Sequence, residues 1–161
     1  MQTIVLGGAA LAAALIAATV PSKAANKESF QAMLTGSAEV PPVVTQAEGK
    51  ANFTLTGDTV TYSITAKGLT GVVAAHVHIG ALGKTGAPAV TLYSGPKTNV
   101  TSGALVHGTF TAKDVHGVTF LELISDMKKG DAYVNVHTSA HPGGELRGQI
   151  NAVESMKTSS R

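Results

Sequence analysis

Chemistry in this chain falls first to histidine. The sequence holds six histidines and no cysteine, so a thiol nucleophile, a disulfide framework and a thiolate metal site are all excluded. His76-Val77-His78 lies in an alternating apolar run. On a strand, residues i and i+2 share a face with Cα atoms ~6.6 Å apart, so two imidazoles can converge on one metal ion while Val77 points to the opposite face. Asn135-Val136-His137 ends a second such run, and His141 follows before Pro142-Gly143-Gly144. His137 shares its face with Tyr133 and Asn135, and Val134 and Val136 face the other way. Should the two strands be neighbours, three or four imidazoles meet. An all-histidine site in a chain without cysteine suits copper(II), zinc or nickel better than a hard ion. The residues expected to hold metal are therefore His76, His78, His137 and His141.

The other candidates carry less. His107 alternates with Leu105 and Thr109 as ordinary strand decoration, and His116 sits in a loop beside Asp114 and Gly117. No G-x-S-x-G elbow and no phosphate-binding glycine pattern is present. Glu145 and Arg147 stand at i and i+2, where a structural ion pair or a turn-closing role is expected. Asn52 and Asn99 head glycosylation triplets, and only Asn99 lies outside an alternating run.

The elements that must position the histidines are strands. Phe30, Ala32 and Leu34 alternate with polar neighbours until Pro41-Pro42 breaks the pattern. Phe53 and Leu55, then Val60, Tyr62, Ile64 and Ala66, flank Gly57-Asp58, a two-residue hairpin signal. Val73–Ile79, Pro88–Tyr93, Ala104–Thr111, Tyr133–Thr138 and Glu145–Ala152 complete eight expected strands. Between them Phe120, Leu121, Ile124 and Met127 fall at helical spacing. Thr119 and Glu122 form a capping box, and Gly130 supplies the stop. The expectation is an all-β fold, an antiparallel sandwich or barrel with one short helix.

A chain of 161 residues is one domain in length, and its formal net charge of +2 argues against a nucleic-acid partner. Residues 4–20 are uncharged and apolar, and Ser22-x-Ala24 suits an export peptidase. Residues 1–24 are read as a cleaved signal or as a retained anchor tethering the chain to a membrane. Both place the remainder outside the cytoplasm, whether secreted, periplasmic or on the cell surface. Residues 25–29 read as a linker, 30–152 as the domain and 153–161 as a polar tail.

Several segments carry a family likeness: Leu34-Thr35-Gly36 through Glu39-Val40-Pro41-Pro42, Ala75-His76-Val77-His78-Ile79-Gly80, Tyr133 to Thr138, and His141-Pro142-Gly143-Gly144-Glu145-Leu146-Arg147-Gly148-Gln149-Ile150. On these the chain from Phe30 to Asn151 resembles the CHRD domain family, modules of exported proteins. The resemblance implies an immunoglobulin-like Greek-key sandwich and no settled activity. More distantly, Ala75–His78, Val134–His137 and Gly143–Gly148 resemble the copper-site strands and closing segment of copper/zinc superoxide dismutases. That likeness implies His76, His78 and His137 as copper ligands. It implies one metal and not two, because residues 80–87 contain no histidine and no acid.

Three functional readings stand at this point. The first is an exported protein that holds one copper ion for copper handling. The second is a zinc-free superoxide dismutase-like enzyme, and the third a metal-free interaction module. The sequence names no protein partner.

Overall fold

The computed structural model describes residues 26–153. The leader expected at residues 1–24, including the apolar run 4–20, lies outside them, as does the tail beyond residue 153. No helix among the described residues is long and apolar enough to cross a membrane.

Seven strands and one α-helix build the domain: β1 (Lys27–Thr35), β2 (Glu48–Thr56), β3 (Thr59–Ile79), β4 (Pro88–Phe110), α1 (Phe120–Lys129), β5 (Ala132–Thr138), β6 (Leu146–Gln149) and β7 (Asn151–Ala152). Every pairing is antiparallel. β1 pairs β2 through Phe30↔Phe53, and β2 pairs β3 through Phe53↔Tyr62. The far half of β3 pairs β5 through Val77↔Val134, β5 pairs β6 through Val134↔Gly148, and β6 returns to β1 at Thr35↔Arg147. Five strands thus close on themselves, which removes the open edges a flat sheet would leave. β4 runs along β3, and β7 pairs β1 at Phe30↔Ala152. The all-β antiparallel expectation holds, including the single helix.

Alternation fills the interior. Phe30, Leu34, Phe53, Ile64, Leu69, Val72, Val77, Val134, Val136 and Leu146 are each 1% exposed or less. Burying one such side chain is worth ~1.5–3 kcal/mol, so a single register slip would turn a whole strand's contribution outward. Helix α1 starts where its sequence says. The Thr119 hydroxyl accepts from the Glu122 amide, the Glu122 carboxylate accepts from the Thr119 amide, and Gly130 ends the helix at φ 77°. Its buried side chains are Leu123, Ile124 and Met127.

Several expected boundaries are corrected. The runs 60–66 and 73–79 form one strand, β3, and the runs 88–93 and 104–111 form another, β4. Gly68 and Gly71, at φ 73° and 70°, bend β3 in a left-handed conformation that only glycine adopts readily. Pairing with β4 resumes on either side of the bend. The run 145–152 instead splits into β6 and β7. At the start, β1 begins at Lys27, so part of the expected linker is strand, with Glu28 paired to Lys128 at 2.7 Å.

Candidate metal centre

Strand register brings the distant histidines together. On β3 and β5, His76 faces Asn135, His78 faces Tyr133, and Ala74 faces His137. Alternation keeps Ala75, Val77, Val134 and Val136 in the core, all at 0% exposure, and so turns the three imidazoles to one outer face. The ring centroids are 5.6 Å apart for His76–His78, 5.0 Å for His76–His137 and 6.1 Å for His78–His137. One nitrogen from each ring lies within 4.8 Å of the other two. Metal–nitrogen bonds of ~2.0–2.1 Å put ligand nitrogens roughly 3.3–3.6 Å apart.

Hydrogen bonding fixes which nitrogens face inward. His78 Nδ1 lies 2.9 Å from the Gly86 carbonyl, and His137 Nδ1 lies 2.9 Å from the Pro142 carbonyl. A carbonyl only accepts, so both Nδ1 atoms carry the proton and donate. Each Nε2 is left as a lone pair. Those two Nε2 atoms, together with His76 Nδ1, are buried and have no hydrogen-bond partner. Buried nitrogens without partners are rare because they are costly, and here three converge. A ligand imidazole whose second nitrogen donates to a carbonyl is how proteins orient metal-binding histidines.

The same packing favours the neutral form of His76 and His78. Burial, then the neighbouring His137 and His78, push His76 down to about 4. Burial also lowers His78, opposed by its bond to Gly86 and reinforced by His137 and Arg147. A lone pair must be free for coordination, and both shifts favour that state.

Around the triad lies a shell of buried polar groups: Glu39, Asn135, Thr138, Glu145 and Arg147 are all under 9% exposed. Asn135 Nδ2 donates to Glu39 Oε1 at 2.6 Å. Burial raises the Glu39 carboxyl above its ordinary value, against the Asn135 bond and the Arg147 charge. The Glu145 carboxylate accepts from Thr45 Oγ1 at 2.9 Å and Thr138 Oγ1 at 2.7 Å. Gln149 Nε2 donates to the carbonyls of Gly80 and Gly130. These contacts close the segments 36–47, 80–87 and 139–145 over the outer face, which explains why an outward-pointing Tyr133 is 4% exposed.

His141 occupies the turn after β5. Its backbone amide donates to Thr138 Oγ1 at 3.2 Å, and its carbonyl accepts from the Gly144 amide at 3.0 Å. It is not among the three converging residues. His107 and His116 are exposed and stand apart from the cluster. Of the two roles expected for Glu145 and Arg147, the ion pair is absent among the described residues, whereas Glu145 does close the turn after β5 through Thr138 and the Val136 carbonyl. Glu145 is taken by two threonines, and Arg147 turns to the 80–87 loop, donating to the Lys84 carbonyl at 2.7 Å. Asn99 accepts from the Gly71 amide at 2.7 Å. The residues that sequence reading missed are Glu39, Thr45, Arg147 and Gln149 as supports of the site. Period two puts Tyr133 and Asn135 on the His137 face, but which strand lies beyond them is set by tertiary pairing alone.

The family model for the CHRD domain matches residues 30–150 of the chain. No curated protein and no solved structure matches it.

Proposed function

The chain belongs to the CHRD domain family, and we propose that it is an exported copper-binding protein serving copper handling, whether buffering, delivery or scavenging. His76, His78 and His137 hold one mononuclear ion. The observation that carries this reading is the gathering of three imidazoles with one ligand nitrogen from each within 4.8 Å, every ring carrying a buried nitrogen without a partner and two having their other nitrogen fixed by a carbonyl. Copper is favoured because the donors are all imidazole and because Cu(II) heads the divalent affinity order; zinc is the competitor. His141 is the reserve fourth ligand, since it sits one short turn beyond His137. An extracytoplasmic location is supported by the apolar run at residues 4–20 and by the occurrence of CHRD domains in extracellular proteins.

The test is calorimetric titration of copper(II) into the parent and six single variants. The parent should bind one equivalent. His76→Ala, His78→Ala and His137→Ala should each weaken binding by at least ~100-fold, since even supporting residues of metal sites contribute ~10–100-fold. His141→Ala should weaken it less, and His107→Ala and His116→Ala should leave it unchanged. Unaltered affinity in the three triad variants would sink the reading in favour of a metal-free interaction module. A dismutation assay on the copper-loaded parent separates handling from catalysis.

A further inference from the structure

Arg147 is 2% exposed and makes no ion pair among the described residues. Glu39 feels its charge but forms no ion pair with it, and a buried cation without a directly paired carboxylate is costly unless other groups replace its hydration. Here two kinds do. The guanidinium donates to the carbonyls of Lys84 at 2.7 Å and Ala81 at 3.4 Å, and its Cζ lies 3.6 Å from the centroid of the Tyr133 ring. These commitments leave it unsuited to attracting an anion from solvent.

Tyr133 passes the constraint on. It sits on β5, between β6, which carries Arg147, and β3, which carries His78. Its ring stacks on the His78 imidazole with centroids 5.0 Å apart and planes 14° from parallel. Its hydroxyl accepts from the Gly86 amide at 3.1 Å, and the carbonyl of the same Gly86 accepts from His78 Nδ1 at 2.9 Å. The 80–87 loop is therefore held at Ala81 and Lys84 by Arg147 and at Gly86 by Tyr133 and His78. The face and the tautomer of His78 both depend on that loop.

We propose that Arg147 and Tyr133 are positioning residues for the metal ligand His78. They clamp the loop and the ring so that His78 keeps its Nδ1 proton on Gly86 and aims Nε2 at His76 and His137. The purpose of the clamp rests on the metal-centre reading above. The clamp itself belongs to the metal-free protein, so it is tested there.

The experiment is nitrogen-15 NMR of the histidine rings in the metal-free parent, Arg147→Lys, Tyr133→Leu and Tyr133→Phe, followed by copper(II) titration and electron paramagnetic resonance on each. His137 donates to Pro142, which lies outside the 80–87 loop, and serves as the internal control. The parent should show His78 as the pure Nδ1–H tautomer. Arg147→Lys keeps the charge but loses the planar face and forked donors. It and Tyr133→Leu should give tautomer averaging at His78 with the His137 signal unchanged, weaken copper binding ~10–100-fold and alter the copper hyperfine pattern. Tyr133→Phe, which keeps the stack, should fall between these variants and the parent. A His78 tautomer that survives both Arg147→Lys and Tyr133→Leu overturns the proposal. Loss of the His137 signal along with that of His78 also overturns it, because the residues would then be general supports of the fold. A clamped His78 in a parent that takes up no copper would sink the metal centre and leave the clamp standing.

Discussion

His76 is held neutral by its surroundings, and that has a thermodynamic cost in acid. In the folded chain burial and the two neighbouring imidazoles push it down to about 4, whereas an unfolded chain protonates histidine near ~6.5. Between those values the unfolded state binds a proton that the folded state refuses, so stability falls as pH drops through the window and is fully present above it. His78 is lowered too and acts in the same direction. The metal-free protein should therefore lose resistance to urea between pH 7.5 and pH 5. His76→Gln, which cannot titrate, should lose measurably less. Equal losses in parent and variant would show that His76 is not the group responsible. By the same sign, proton competition for copper at His76 should set in only as pH approaches about 4.

At the scale of elements, the loop covers depend on backbone conformations that side chains resist. Gly144 has φ 128°, and a Cβ there would stand 2.5 Å from both Asn135 Nδ2 and Glu39 Oε1, the two atoms that bond each other beneath it. Gly57, at φ 63° in the β2–β3 turn, has open space where its Cβ would be. Gly57→Ala should cost ~1–2 kcal/mol from backbone conformation alone. Gly144→Ala adds a collision with two buried polar groups and should cost more, with part of the loss appearing as weaker copper binding. Equilibrium urea unfolding of both variants checks the order, and equal costs would mean that the Glu39–Asn135 pair yields without penalty. Local signals were legible wherever the chemistry was local. The Gly57-Asp58 turn, the Thr119/Glu122 capping box and the shared face of His76 and His78 all follow from neighbours in sequence. The runs 60–66 and 73–79 read as two strands but belong to one, because the glycines between them, Gly68 and Gly71, bend the ladder without ending it. Arg147 was read beside Glu145, two residues before it. Its real partners lie on a loop more than sixty residues away, and only barrel closure decides that.

For the molecule as a whole, the question is whether metal makes the fold or uses it. The triad sits on β3 and β5, which are already joined by a continuous ladder from Ala74↔His137 to Ile79↔Ala132. Beneath them Ala75, Val77, Val134 and Val136 are fully buried. Five strands close the barrel without any contribution from the imidazole rings, and a chain of this size can bury an adequate core by itself. Metal-free protein should therefore be folded at neutral pH, with a far-ultraviolet circular dichroism spectrum dominated by strand. That spectrum should not change when copper is added. Stability should change, because the folded chain gathers three nitrogens that the unfolded chain disperses. Ligand at 100 times its dissociation constant adds ~2.7 kcal/mol, which for a domain of this size raises the melting temperature by on the order of 10 °C. A chelator should reverse the rise in the parent, and His76→Ala should show no rise at all. The measurement is thermal unfolding with and without copper, followed by circular dichroism and repeated after chelation. A metal-free chain that is unfolded at neutral pH would place the metal among the forces that make the fold, and a copper-independent melting temperature in a folded parent would remove the metal centre itself.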